Sequence, residues 1–493
     1  MSETPVVRAT VVPRLYRDSV TLMALATALE KLPGISRVGA VMATPGNLSI
    51  LAASQMLPEG LRTVPDDLVV VVKGASSEAV DLALAEAVSG LTSATDDTST
   101  GPGTPAPATI AEALASGFEA TVATVSVPGA YAPVVVEQAL NAGLHVFCFS
   151  DNVPLADEIR LKRLAASRRL LLMGPDCGTA IVDSVPLGFA NVVRPGTVGV
   201  VAASGTGAQE VSVLLDAWGV GVSQLIGVGG RDLSLEVGGV MTHLALDLLA
   251  EEESISTLMV VSKPPGGAVA DDLLARLAGL ARPDRCVVAC LLGLADAGTI
   301  GVDPLLVRGT LEGGARAAAI LAGANPPPSA DVVPTSRAST PGIVGLFTGG
   351  TLASEAKIIL QRAGLVASIH DLGDDRYTAG KPHPMIDPTP RNTWIADLVT
   401  DDEVGVLLVD VVLGYGSHPD PAGSLVAAVK SLQAGRRARG AADLVVIASV
   451  TGTEADPQHR GTQTRALRDA GVLVATSNAA AARAAVLSCQ EAS

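Results

Sequence analysis

Two glycine-rich turns hold the residues best suited to chemistry. The first, Ser204-Gly205-Thr206-Gly207, follows the apolar run GVVAA and precedes a stretch with helical spacing that begins near Ala208. The second, Thr348-Gly349-Gly350-Thr351, lies between GIVGLF and a further helical stretch. Both read as strand, tight turn and helix, and an acidic residue follows early in each helix, Glu210 and Glu355. Glycine lets the backbone approach a ligand closely, and hydroxyls add donors. The first turn of a helix presents free N–H groups at the positive end of its dipole. Each turn is therefore a candidate anion site, and two facing helix starts would hold one phosphate or carboxylate between them. The same residues also suit strand-to-helix turns with Ser or Thr as caps, so both readings stand at this point.

A second group of reactive side chains lies further on. The irregular segment HDLGDDRYTAGKPHPMIDPTPRN carries Asp371, Asp374, Asp375, Arg376, Lys381, His383 and Asp387, and Asp410, His418 and Asp420 follow at and beyond the next strand end. Long polar loops in compact domains are usually functional. His383 and His418 are candidates for proton transfer and Arg231 for steering an anion. Asp374, Asp375, Lys381, Asp410 and Asp420 are candidates for a substrate loop. Their spacings match neither zinc nor EF-hand patterns, so no metal is expected.

Positioning these groups requires strand ends, and the rest of the chain supplies them. The 493 residues are 48% hydrophobic, and apolar runs alternate with helical patterns, which predicts α/β architecture with parallel sheets. The pattern divides into a small α/β unit at 1–65, a domain at 66–195, a domain at 196–323, a proline-rich linker at 324–341 and a last domain at 342–493. The run LVVVVKG from Leu68 reads as the start of a parallel sheet, and Thr92 to Thr109 as an exposed linker. A net charge of −16 and 2% aromatics argue against nucleic acid and anionic membrane surfaces as partners. With no stretch of transmembrane length and no leader-like N-terminus, the expected location is the cytoplasm. The five cysteines (Cys148, Cys177, Cys286, Cys290 and Cys489) lie in apolar surroundings and read as reduced, buried thiols.

Several long motifs then agree in order. YRDSVTLM, GPDCGTAIVDSVPLGFANVVRPG, ASGTGAQE, GVGGRDLS, KPHPMIDP, VVLGYGSHPDPAG and TGTEADPQ resemble the FdrA family over nearly the whole chain. From about residue 120 to 292 the order of turns is also similar to the α subunit of succinyl-CoA synthetase. The resemblance implies a Rossmann-like, CoA-binding-type domain at 66–195 followed by flavodoxin-like domains at 196–323 and 342–493. It also implies partner subunits and small-molecule substrates, namely an acyl or carbamoyl phosphate and a carboxylate. In some FdrA-like proteins the activity is oxamate carbamoyl transfer in allantoin catabolism, in which Arg231 or Lys381 would steer oxamate and His383 or His418 would handle the amine proton. Two departures separate the chain from the synthetase. CLLGLADAGTI stands where that family has its phosphorylated histidine, and VVVKGASSEA offers one glycine where a CoA phosphate loop is expected. CoA is therefore carried only as an implied ligand, and no other cofactor is expected.

Overall fold

The structure is a computed structural model that describes residues 6–17, 19–54, 56–58, 60–93, 107–329, 337–378 and 382–489. Two compact units divide the chain, one of them formed mainly by residues 1–108 and the other by the remainder.

In the first unit, β1 (Val6–Val12), α1 (Ser19–Glu30), β2 (Ile35–Met42), α2 (Pro45–Ala53), β3 (Leu68–Gly74) and α3 (Ser77–Ser93) follow in order. β3 is the central strand of a three-stranded sheet and runs antiparallel to both neighbours. Val70 and Val72 pack with Leu22, Leu29, Val80 and Ala83 on one face, while Val69 and Val71 pack with Leu51 and Met56 on the other. This corrects two expectations. An uninterrupted apolar run marks a strand buried on both faces, and here the helices on either side do the covering, so LVVVV is central without being parallel. The boundary at residue 66 fails for the same reason, because β3 and α3 complete the first sheet. Most of the expected linker at 92–109 lies outside the described residues.

The second unit opens with α4 (Ile110–Ala115) and a small parallel sheet ordered β4-β5-β6. Its parts are β4 (Val122–Val125), α5 (Ala132–Asn141), β5 (His145–Cys148), α6 (Leu155–Ser167) and β6 (Leu172–Met173). The next segment, expected to close this domain, instead forms the hairpin β7 (Thr179–Val182) and β8 (Val185–Gly188), which joins the following sheet through an antiparallel pairing of Ile181 with Leu225.

That sheet contains β9 (Val198–Ala203), α7 (Gly205–Ala217), β10 (Val222–Gly227), α8 (Val240–Glu251), β11 (Thr257–Ser262), α9 (Gly267–Leu280), β12 (Cys286–Leu291), β13 (Leu305–Arg308) and α10 (Leu311–Leu321). The last sheet contains β14 (Gly342–Phe347), α11 (Gly350–Arg362), β15 (Ala367–Asp371), α12 (Asp375–Thr378), α13 (Thr389–Asp397), β16 (Val404–Val412), α14 (Pro421–Ala438), β17 (Val445–Thr451), α15 (Arg460–Asp469), β18 (Leu473–Ala475) and α16 (Asn478–Cys489). In both, the five parallel strands take the spatial order second, first, third, fourth, fifth, which is the flavodoxin-like winding. The two glycine turns thus occupy equivalent places, each after the first strand of its sheet.

One apolar core joins the two flavodoxin-like domains. Val211 and Leu215 of α7, Leu311 and Ala315 of α10, Leu352 and Ala356 of α11, and Ala481 and Ala485 of α16 belong to it. The alanine-rich α16 lets its neighbours come close, because there is little side chain to hold them apart. Close packing of α7 and α11 brings the two turns together.

Candidate functional site

The two turns touch. Ser204, in extended backbone, caps α7 by accepting the amide of Gly207 at 2.9 Å, and its hydroxyl donates across the domain junction to Thr351 Oγ1 at 2.7 Å. A methyl group on Gly349 would stand 2.8 Å from Thr206 Oγ1, and one on Gly207 would stand 3.0 Å from the Thr351 methyl. Glycine at these places is what allows the approach. Thr206 and Thr351 are 8% and 3% exposed, so both side chains are largely buried. Among the described residues nothing accepts the Thr206 hydroxyl, and no hydrogen bond uses the amides of Gly205, Thr206, Gly350 or Thr351. Two helix starts with unused donors therefore meet at one point, beside a Thr206 hydroxyl that has no partner among the described residues.

Thr348 and the amide of Gly349 have another task. Asp410 accepts the amides of Thr348 and Gly349, both at 2.8 Å, and the Thr348 hydroxyl at 3.1 Å. Arg391 Nη1 lies 3.3 Å from the same carboxylate and donates to the Asp410 carbonyl at 2.7 Å. Burial raises the Asp410 pKa, against Arg391 and the two amides. Asp410 thus anchors the second turn, and Thr348 and the Gly349 amide are not free for a ligand.

Beyond Gly350 stand two groups of opposite charge. A methyl on Gly350 would lie 2.2 Å from Asp371 Oδ2 and 3.1 Å from Lys263 Nζ, so both reach the start of α11. Asp371 Oδ1 accepts the amide of Gly373 at 3.1 Å. Burial pushes the Asp371 pKa up, with Lys263 opposing. Lys263 follows the end of β11, where open α/β sheets bind ligands. Its position at a strand end was visible in VVSKPPG, but its partners were not.

His383 sits beside this group. Its Nε2 is 2.5 Å from the place a methyl on Gly373 would take, and burial pushes its pKa down to about 4. Its Nδ1 accepts the Met385 amide at 3.2 Å, which leaves Nε2 as the protonated nitrogen of the neutral ring. His383 is therefore a hydrogen-bond donor at neutral pH.

The remaining candidates go elsewhere. Arg231, itself exposed, donates to the Val153 carbonyl at 2.9 Å and lies 2.8 Å from Glu158, at the edge of a buried charge cluster of Glu158, Lys162 and Asp232. His418 Nδ1 accepts the amide of Asp420 at 3.0 Å, and Asp420 caps α14 through Gly423 at 3.0 Å. Asp374 accepts the amide of Arg376 at 3.1 Å. These groups hold the backbone in place, because short polar side chains in turns satisfy the donors that irregular backbone leaves open. Asp375 begins α12, and Lys381 lies outside the described residues.

The acids that follow the turns close the junction. Glu210, on α7, accepts the amide of Asn478 at the start of α16 at 2.9 Å and the Thr451 hydroxyl at 2.6 Å. Glu355, on α11, accepts the amide of Leu311 at the start of α10 at 2.6 Å and the Asn478 side-chain amide at 2.7 Å. The first helix of each domain thereby caps the last helix of the other. Burial raises the pKa of both acids, that of Glu355 to about 7, and the nearby Glu210 and Glu312 add to it there. Cys148 and Cys177 are buried thiols pushed up to about 12 by the same desolvation.

Residues 346–487 match the family profile described as CoA-ligase, and residues 2–107 match one described as the AllF heavy metal-associated domain. Doubled flavodoxin-like winding with facing turns, together with that match, defines a CoA-ligase-like protein carrying an AllF-type N-terminal domain. The protein YahF of Escherichia coli K12 is 38% identical over 507 aligned positions that span 96% of each chain. The chain belongs to the YahF family. The α subunit of the ADP-forming succinate–CoA ligase of Staphylococcus aureus is 33% identical over 126 residues, 25% of this chain and 40% of the subunit. Among solved structures, acetyl-coenzyme A synthetase 1 of Ca. Korarchaeum cryptofilum, in complex with phosphate and ADP, aligns over 74% of this chain and 82% of its own at 13% identity and TM-score 0.33. ATP citrate lyase of Methanothrix soehngenii, with citrate and coenzyme A, aligns over 45% and 38% at 20% identity and TM-score 0.34. No described helix is long and apolar enough to cross a membrane.

The donor set of the N-terminal domain does not suit a heavy metal. Residues 1–107 contain neither cysteine nor histidine, the thiolate and imidazole ligands that such ions select.

Proposed function

We propose that the chain is an FdrA-like subunit of a carbamoyl or acyl transferase, and that the facing starts of α7 and α11 bind the phosphate of carbamoyl phosphate or an acyl phosphate. Oxamate carbamoyl transfer in allantoin catabolism is the reaction this reading favours, with partner subunits completing the site. The observation that carries it is the Ser204–Thr351 hydrogen bond of 2.7 Å, which joins two helix starts whose first amides are unused. Those amides, the Thr206 hydroxyl and Lys263 would take the phosphate oxygens and stabilise charge as phosphate departs. The oxamate nitrogen forms its bond to the carbamoyl carbon as the bond from that carbon to the phosphate oxygen breaks. Asp371, near the start of α11, would accept the amine proton, and His383 would donate a hydrogen bond. Such chemistry needs a phosphate cradle and no phosphohistidine, which suits a chain with no histidine between Cys290 and Ile300.

A second reading, acyl-CoA synthesis, is favoured by the CoA-ligase match over residues 346–487. The purified chain, assayed with its co-encoded partners for carbamoyl transfer from carbamoyl phosphate to oxamate and for the reverse phosphorolysis, tests the first reading. Turnover of CoA esters without carbamoyl transfer would replace it with the second.

A further inference from the structure

The N-terminal sheet has two edges that are built differently. At the β2 edge the pairing with β3 shifts register between Ile35 and Arg37, and the outward amide of Val38 is taken by Glu30 Oε1 at 2.8 Å. A bulge and a side-chain plug are two ways in which proteins keep an edge strand from pairing with other chains. The β1 edge has neither. Val6 to Val12 pair with Gly74 to Leu68 without a shift, the strand VVRATVV holds no proline or lysine, and four of its seven residues are valine. Among the described residues no side chain is hydrogen-bonded to its outer backbone. Its residues are partly exposed, whereas those of β3 are buried almost throughout.

A groove runs along this edge, lined by Val7, Ala9 and Thr10 of β1 and by Leu84, Ala85 and Val88 of α3. Arg8 is neutralised at its wall by Asp81, with Ser77 also accepting a guanidinium hydrogen bond at 3.3 Å. The edge is therefore long, regular and locally uncharged.

We propose that β1 pairs antiparallel with β1 of a second copy of this chain, giving a continuous sheet ordered β2-β3-β1-β1-β3-β2 across a twofold axis. The edge is complementary to itself. Full overlap of Val6–Val12 places Ala9 on the axis, where a small side chain lets the strands close up, and sets Arg8 opposite Thr10 of the other copy, so no like charges face each other. The two α3 helices then close over the paired strands from one face and cover the groove.

The test uses the full chain. Sedimentation velocity over about 1–100 µM should show a reversible dimer. Thr10→Arg, which sets arginine opposite Arg8 of the other copy, should weaken dimerisation at least ~10-fold, the scale of ~1.4 kcal/mol, while Thr10→Glu should strengthen it. Ala9→Cys should form an intermolecular disulfide under mild oxidation, since facing Cα atoms in antiparallel pairs lie about 4.5–5.5 Å apart. Circular dichroism of each variant checks that the domain folds. A wild-type chain that stays monomeric at ~100 µM overturns the proposal, as would a dimer whose affinity is the same in both Thr10 variants and that Ala9→Cys does not cross-link.

Discussion

Thr206→Val separates an anion site from a plain helix start. The substitution keeps the branched shape that packs on Gly349 and deletes one hydroxyl. The helix caps are Ser204 and Gly349, so Thr206 caps nothing, and its hydroxyl has no acceptor in the free protein. No protein partner is stranded, and stability should change by no more than about 0.5 kcal/mol, as for changes away from core packing and hydrogen bonds. A bound phosphate would lose a hydrogen bond to a charged group, about 1.5–3 kcal/mol, or roughly ten- to hundred-fold in affinity. Thr351→Val should behave differently, because Thr351 Oγ1 accepts from Ser204 at 2.7 Å. Its loss should cost about 1 kcal/mol of stability as well as affinity. If one ion meets both hydroxyls, the double variant should depart from additivity. Calorimetric titration with inorganic phosphate and carbamoyl phosphate, beside urea unfolding of the same four proteins, measures each quantity. Phosphate affinity unchanged in Thr206→Val, with the protein folded, refutes the shared anion site.

Three further outcomes are expected. Glu355 is raised from 4.5 to about 7, so between those pH values the folded chain holds a proton that the unfolded chain has released. Its contribution to stability is full below about pH 4.5 and falls by up to about 3 kcal/mol as pH rises to about 7. Glu355→Gln should flatten that slope in urea titrations across the window, and an unaltered slope would refute the assignment. Asp410→Asn should destabilise the chain by about 3–5 kcal/mol by leaving Arg391 buried without its counter-charge, seen as a lowered urea midpoint. Finally, labelled ATP with succinate and CoA should leave no acid-labile phosphate on the chain. His243, whose Nε2 lies 3.1 Å from Asp272, would be the residue to inspect if label appeared.

How much of this was legible depended on how local each signal was. Strand, glycine turn and helix are contiguous, so both flavodoxin-like starts could be read from GVVAASGTG and GIVGLFTGGT, and their repetition predicted that the turns would face each other. Apolar periodicity reports burial and not strand direction, which is why LVVVV was misread as parallel. The hairpin at 179–188 joins a sheet whose strands come later, and nothing in TAIVD records that partner. The roles of Asp374, Asp410 and Asp420 in holding backbone were hidden for a related reason. A carboxylate that caps a helix or anchors a turn has the same composition as one that touches substrate, and only the position of Thr348 and Gly349 beside Asp410 tells them apart. Lys263 was overlooked because its neighbours, Gly350 and Asp371, come far later in the chain.

The exchange of caps by Glu210 and Glu355 bears on how a ligand enters. Drawing the two flavodoxin-like domains apart would uncover the amides of Leu311 and Asn478 together and leave two acids without donors. Opening by separation is therefore opposed at both ends of the junction at once. For the anion proposed above, the turns would then be a preformed socket, with Lys263 beside the start of α11. In such a socket little ordering cost attends binding, so discrimination among anions rests on the shape of the group that follows the phosphate.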